Sequence, residues 1–305
     1  MKHYLFIIFF LLTNVGYSQL TEVKPESIGM SSERLERITE LSKSYINDFN
    51  IPGIVTIVSR KGKIVYYKAF GKRDIQNKTL LLKDDLFRIY SMTKPVTAVA
   101  IMQLYEKGKF KLNDPVSKFL PEFKGLKVLN EEGELVEMST TMKMHHLFTH
   151  TAGFSYGFSD DPIDKQYANA NLFISEDLEE LVTKVAKLPL RFQPGTRYHY
   201  SIADDLIGLI IERLSGLPLD EYFNENIFNP LGMKDPFFQV PKGKRDRFLT
   251  RYRYDIKKKS PVEYPAIPRQ AYSDFINVPM LSGGGGLVST AMDYMIFAES
   301  LRNGG

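Results

Sequence analysis

A single clear β-hairpin set among helical segments limits the possible folds most. Two β-branched and aromatic runs, residues 54–58 and 64–69, stand on either side of Arg60, Lys61 and Gly62. They predict two antiparallel strands joined by a tight turn. A two-stranded ribbon is marginally stable in water by itself, so its flanking segments must cover it. On the N-terminal side Leu35, Ile38, Leu41, Tyr45, Ile46 and Phe49 recur at helical spacing up to the turn at Asn50, Ile51, Pro52 and Gly53, which predicts an amphipathic helix. On the C-terminal side the helical period returns after Thr93 with Val96, Val99, Ile101, Leu104 and Tyr105, and again over 178–186, 206–214 and 293–301. Thr290 and Asp293 are expected to form a capping box for the last of these. The expectation is an α/β (α+β) chain, a small sheet covered by helices, with no internal repeat and no low-complexity linker.

Composition removes several kinds of function. The 305 residues contain no cysteine, which excludes disulfides, thiolate zinc sites and a cysteine nucleophile. Lys plus Arg at 40 against Asp plus Glu at 36 gives a net charge of +4, too even a balance for a nucleic-acid binder. The locally basic stretch 242–253 is expected to be a solvated face. Lys2 and His3 precede nine apolar residues, 4–12, and Gly16 and Ser18 permit cleavage before Gln19. This is the pattern of a secretory signal peptide, too short for the ~20 apolar residues that span a bilayer. Residues 1–18 are therefore expected to be a signal segment. Residues 19–305 would form a periplasmic or secreted protein with no stable membrane span.

The residues with chemistry in them begin at Ser91-Met92-Thr93-Lys94, the Ser-x-x-Lys at a predicted helix start. Three residues are nearly one helical turn, so the two side chains share a face and their polar ends can meet. A serine hydroxyl is a poor nucleophile until a neighbour takes its proton, and a lysine amine beside it can help to do so. The spacing alone also fits an ordinary capped helix.

Seven segments in order carry a resemblance. They are Phe87-Arg88-Ile89-Tyr90-Ser91-Met92-Thr93-Lys94, Leu112-Asn113-Asp114-Pro115-Val116, Leu147-Phe148-Thr149-His150-Thr151-Ala152-Gly153, Pro194-Gly195-Thr196-Arg197-Tyr198-His199-Tyr200-Ser201, Ile210-Ile211-Glu212-Arg213-Leu214-Ser215-Gly216, Pro230-Leu231-Gly232-Met233, and Gly283-Gly284-Gly285-Gly286-Leu287-Val288-Ser289-Thr290. Together they resemble the serine β-lactamase and penicillin-binding-protein-like family over residues 25–305, and within it the class C β-lactamase and carboxylesterase branch. The resemblance implies a β-lactamase/transpeptidase-like fold, an antiparallel sheet with an inserted helical region. It also implies Ser91 as the acylated nucleophile, Lys94 as its partner and Tyr200 as the second general acid/base, with no metal and no cofactor. Where β-lactamases of this branch carry Asn two residues after the Tyr, this chain has Ile202, expected to offer a substrate only apolar contact. Tyr200, Ser201, Ala203 and Asp205 look more like the esterase members. Esters are thus the first substrate expectation. β-Lactams or D-amino-acid peptides of the cell wall are the alternative, and a silent binding or sensor protein of the same fold is the other. The family's Lys- or His-containing Gly-rich third motif finds no match here. With a turn-like end at Asn303, Gly304 and Gly305 and few strands, the chain is expected to be C-terminally truncated, and to fold poorly or be nearly inactive as it stands.

Other patterns suggest other sites. Gly153-Phe154-Ser155-Tyr156-Gly157 is a literal Gly-x-Ser-x-Gly, but no apolar strand precedes it as a hydrolase elbow needs. Tyr45-Ile46-Asn47, Tyr167-Ala168-Asn169 and Tyr222-Phe223-Asn224 match Tyr-x-Asn without the Pro-Gly-Thr entry. They are expected to be surface or packing residues. His146 and His150 are four apart, as helical zinc ligands can be, yet no acid lies between them. The four glycines from Gly283 are expected to mark a close backbone approach beside the site rather than a phosphate cradle.

Overall fold

The computed structural model describes residues 20–48 and 51–305. The expected signal segment, and Phe49 and Asn50 of the first predicted helix and turn, lie outside them. β1 (Thr21–Glu22) and α1 (Ser32–Asn47) lead into the predicted hairpin, β2 (Gly53–Arg60) and β3 (Lys63–Asp74), followed by the short β4 (Thr79–Leu80). The hairpin turn holds Lys61 and Gly62 at φ of 52° and 73°. Positive φ at both central residues suits the right-handed twist of the strands it joins. β2 and β3 pair antiparallel from Gly53 opposite Gly71 to Arg60 opposite Lys63. β4 adds to β3 antiparallel, but β1 adds in parallel, so the sheet is mixed at that edge.

Ser31 caps α1 by accepting a bond from the Arg34 amide. The helix docks on β3 through Leu35 and Ile38, which meet Val65 and Tyr66. The buried stripe is not the expected one, because Leu41 and Tyr45 are 59% and 48% exposed. Tyr66 is the reason. Its hydroxyl needs a partner when buried and finds Thr39 Oγ1 at 2.9 Å, so Thr39 and Ser42 face the strand.

The rest of the chain alternates short strands with helices. β5 (Phe87–Arg88), a 3₁₀ turn at Tyr90–Met92 and α2 (Thr93–Glu106) come first, then the small hairpin β6 (Lys127–Leu129) and β7 (Leu135–Glu137). Next come α3 (Met144–Phe148), α4 (Pro162–Asn169), α5 (Leu178–Val185), α6 (Ala203–Ser215), α7 (Leu219–Phe223) and α8 (Asn229–Leu231). A second hairpin, β8 (Tyr252–Asp255) and β9 (Ser260–Glu263), precedes β10 (Val288–Ser289) and α9 (Ala291–Arg302). β10 returns antiparallel onto β5, so the helices from α2 to α8 form an insertion between two paired strands. The axle of that insertion is α6. Every residue from Ala203 to Ile211 is buried, and α2, α3, α5 and α7 pack around it.

α9 then closes on β2, where Glu299 accepts a bond from Ser59. Thr290 caps α9 by accepting the Asp293 amide at 3.0 Å. Asp293 completes no box, because its carboxylate accepts the Lys234 and Asp235 amides instead. The basic stretch 242–253 is also less solvated than expected: Lys244 and Arg247 both pair with Asp235, at 2.7 and 3.0 Å.

The β2–β3 pairing depends on a backbone approach that only glycine permits. Gly71 has φ +83°, and a Cβ there would lie 2.3 Å from the Pro52 carbonyl oxygen. Gly71→Ala is expected to lower stability by about 2 to 4 kcal/mol through strain and displacement of Pro52, measured as a shift of the urea midpoint. A shift no larger than that of an exposed Gly108→Ala control would count against the contact.

Candidate active site

The three residues expected to carry the chemistry come from two separate helix starts and meet. Ser91 lies in the 3₁₀ turn that runs into α2, and Lys94 is one turn further on, at the top of the helix proper. Tyr200 lies three residues before α6. Ser91 Oγ and Tyr200 OH are 2.7 Å apart and share a hydrogen bond. Lys94 Nζ donates to Ser91 Oγ at 3.4 Å and, more closely, to the Gly284 carbonyl. The Lys94 amine also sits over the rings of Tyr200 and Tyr156, at 4.8 and 5.4 Å. Ser91 is exposed while Lys94 is half-buried, which leaves the hydroxyl open to a substrate and its partner screened from water. The residue before Ser91, Tyr90, is held at φ 43°, a conformation non-glycine residues adopt only under local constraint.

Glycines 283 to 286 supply the third wall by close approach, as expected. A Cβ on Gly283 would stand 2.6 Å from the Asp204 carbonyl oxygen, and one on Gly284 2.6 Å from Asp205 Oδ2. α2 grips this segment twice: Thr97 Oγ1 donates to the Gly283 carbonyl at 2.7 Å, and Thr93 Oγ1 accepts the Leu287 amide at 3.1 Å.

Beneath the three residues lies a set of buried groups that no local pattern in the sequence ties to them. Asp205 is fully buried and accepts from Ser282 Oγ, from the Gly284 amide at 3.1 Å and from Tyr272 OH at 2.8 Å. Burial pushes its carboxyl up, opposed by the Ser282 bond and the nearby Lys94. Asp204 is different: its Oδ2 has no hydrogen-bond partner and lies 3.6 Å from His150 Nε2. Burial pushes Asp204 up to about 7, again against the pull of Lys94. His150 is pushed down to about 4, by burial first and by Lys94 second. Its Nδ1 faces the Ser201 amide at 3.3 Å, and its ring packs on Tyr200 with centroids 4.8 Å apart. Burial also raises the Tyr156 phenol, which therefore stays protonated beside the site.

The competing patterns resolve into local structure. Ser155 is fully buried and donates to Asp164, which Arg191 holds at 2.7 Å; His199 Nε2 is 3.2 Å from the same hydroxyl. In an acyl-transfer triad the acid orients the histidine, whereas here it accepts directly from the serine, and no strand leads into the segment. Tyr167 and Tyr222 are packed in the core, and Tyr45 is exposed on α1. His146 Nδ1 accepts the Lys143 amide at the start of α3 and does not converge with His150. No group of three or more potential metal ligands occurs among the described residues. Ile202, expected to touch a substrate, is 0% exposed. It belongs to the core under α6 and offers a ligand no surface.

Known proteins resemble this chain in sequence and in fold. A family model described as Beta-lactamase matches residues 38–305. The chain is 35% identical over 260 residues to Protein Rv1367c of Mycobacterium tuberculosis, covering 84% of this chain and 63% of that protein. It is 30% identical over 279 residues to Esterase EstB of Burkholderia gladioli, covering 87% of this chain and 69% of the esterase. Among solved structures it matches EstCE1, described as a hydrolase with promiscuous acyltransferase activity. That match has a TM-score of 0.74 at 27% identity and covers 89% of this chain and 73% of the other.

Asp204 and His150 make opposite contributions to stability as pH changes. Asp204 keeps its proton to higher pH in the fold than its ordinary 3.8, so its contribution is full below about 4 and is lost as pH rises through about 7. His150, held neutral, contributes above its ordinary 6.5 and loses that as pH falls through about 4. Asp204→Asn removes the first trend only. The variant's stability relative to the parent is expected to climb between pH 4 and 7, by on the order of 3 kcal/mol, in urea unfolding at a series of pH values. A difference independent of pH would rule out a titrating Asp204. Asp205→Asn is expected to cost about 3 kcal/mol at pH 7, because an amide nitrogen must then face one of three buried donors.

Proposed function

Since the chain belongs to the Beta-lactamase family, we propose that it is an exported serine hydrolase that acts on carboxylic esters through an acyl-enzyme. The observation that carries this reading is the contact of Ser91 Oγ with Tyr200 OH at 2.7 Å while Lys94 Nζ donates to the same oxygen at 3.4 Å. In this reading Ser91 Oγ attacks the ester carbonyl carbon and passes its proton to the Tyr200 oxygen as the Tyr200 proton moves to the departing alkoxide, so the alcohol leaves and the acyl group stays on Ser91. Lys94, fixed by the Gly284 carbonyl, holds Ser91 Oγ in place. A water then attacks the acyl carbon and gives a proton to the Tyr200 oxygen as the Tyr200 proton moves to Ser91 Oγ, freeing the acid and restoring both hydroxyls.

Two features favour esters over amides. The position where β-lactamases of the resembling branch carry an amide side chain is held by Ile202, sealed in the core, so no donor or acceptor there orients a lactam or peptide bond. The match to Esterase EstB supports the same choice. Export rests on the pattern of residues 1–18. The chain spans 63% of the length of the first of these relatives, and the activity of the whole protein is part of this proposal.

The test is covalent labelling with a fluorophosphonate, followed by peptide mass spectrometry. The label is expected on Ser91, absent in Ser91→Ala and unchanged in Ser155→Ala. Tyr200→Phe is expected to slow acylation by about 10² to 10⁴. On substrates, kcat/KM for short p-nitrophenyl esters is expected to exceed that for a chromogenic β-lactam at least ~10-fold, a difference of about 1.4 kcal/mol in transition-state binding. A label on Ser155, or a β-lactam preference, would sink the assignment.

A further inference from the structure

The charge of the chain is concentrated in one place. Residues 242–264 carry nine Lys or Arg against three Asp or Glu, in a chain whose net charge is only +4. Within this stretch the cations near the body are engaged: Lys244 and Arg247 pair with Asp235. Those at the end of the β8–β9 hairpin are not. Lys257, Lys258 and Lys259 are exposed, and among the described residues their side chains have no ion pair or hydrogen bond. The nearest acid, Asp255, is turned into the hairpin end, where its Oδ1 accepts the Lys257 and Lys258 amides at 2.9 and 3.0 Å.

The same tip carries exposed apolar groups. Ile256, immediately before the three lysines, is 83% exposed, the most exposed large hydrophobic side chain among the described residues. Tyr254, Tyr264 and Ile267 lie exposed nearby in sequence. The base of the hairpin, by contrast, is anchored: Tyr252 OH accepts the Ile75 amide at 2.8 Å, and Gln76 donates to Glu263 at 3.2 Å. On a hairpin anchored at its base, the tip thus presents one exposed aliphatic side chain next in sequence to three unpaired ammonium groups.

We propose that the β8–β9 tip docks the protein on an anionic lipid bilayer, with Ile256 entering the interface and Lys257, Lys258 and Lys259 on the headgroups. An apolar tip residue beside basic ones matches both layers of such a surface: burial of the aliphatic group provides one attraction and the negative surface potential the other. Tyrosines beside it suit the headgroup level. A polynucleotide would match the charge and find one open ring, Tyr254, but would leave the most exposed group of the tip unmatched. Ile256 has no π-face on which a base could stack, and the Tyr264 ring is already covered by the Arg251 and Arg253 guanidinium groups at 4.2 and 5.0 Å. No helix among the described residues is long and apolar enough to cross a membrane, so the attachment is peripheral. It is independent of the Ser91 chemistry.

The test is co-sedimentation of the full chain with vesicles of phosphatidylcholine alone, or with roughly a third phosphatidylglycerol, at about 0.1 M and about 0.5 M salt. Binding is expected to the anionic vesicles only, and to be largely lost at the higher salt. Replacing Lys257, Lys258 and Lys259 together by Ser is expected to weaken partitioning on the order of 100-fold. Ile256→Ser should weaken it about 10-fold. Each variant is checked for an unchanged thermal melt, and Ile256→Ser alone decides if the triple variant does not fold. The proposal is overturned if there is no binding, if neutral vesicles bind equally, or if the hairpin variants leave binding intact. Duplex DNA that displaces the vesicles from a chain indifferent to Ile256→Ser would also overturn it, revealing a general polyanion surface.

Discussion

The buried carboxylate of Asp205 holds the parts of the site in register. It sits in the first turn of α6, five residues beyond Tyr200, and takes hydrogen bonds from Ser282, the Gly284 amide and Tyr272. Gly284 in turn offers its carbonyl to Lys94. One residue therefore has its N–H committed to α6 and its C=O committed to α2. If Asp205 lost its place, the turn that locates the Lys94 amine would lose a donor–acceptor pair in a region closed to water, where unpaired groups are costly. Gly284 cannot be replaced without pushing against Asp205 itself, so the network and the glycine run require each other.

Around Lys94 the surroundings are polarised but sparse. Its amine meets one hydroxyl, one carbonyl and two aromatic faces, and the two nearby acids are reached through space rather than by a direct ion pair. A direct carboxylate partner would draw the amine away from Ser91 Oγ. The arrangement seen here leaves it free to share Ser91 Oγ with Tyr200. His150 belongs to the same design: neutral and packed against the Tyr200 ring, it supports the phenol without adding a second positive charge.

Local signals made part of this legible in the sequence. Ser91 and Lys94 are one turn apart, so a helix start alone brings them together, and the hairpin, α2, α5, α6 and α9 follow from apolar spacing and turn residues. Tyr200 is more than a hundred residues away, and nothing local ties it to Ser91; it was identified by the order of segments shared with a family. Asp204 and Tyr272 carry no local signal, because an acid at a helix start reads as an ordinary N-terminal residue and only the tertiary fold shows what faces it; His150 stands out in sequence only as half of a His146–His150 metal pair. The stripe of α1 was misread for a related reason, since Thr39 is buried by a partner on another strand. Ile202 was placed at the ligand surface by analogy with a polar residue, yet an aliphatic side chain at the mouth of a buried helix turns inward. The β6–β7 and β8–β9 hairpins were missed because three- and four-residue strands are too short to show alternation.

The two helix starts also converge electrically. α2 and α6 are 14 and 13 residues long, and their N-termini, where backbone N–H groups are unpaired and the peptide dipoles sum to partial positive charge, begin just after Ser91 and Tyr200. Negative charge that develops on either oxygen is favoured there. Two acids in the first turn of α6 would ordinarily cancel that field. Here Asp205 already receives three hydrogen bonds, and burial holds Asp204 up to about 7, so that near neutrality it carries only part of a charge. Asp205 thereby pins the helix to the glycine run while much of its dipole stays available to the oxygens in front of it, which is why the burial of the two acids matters as much as their identity.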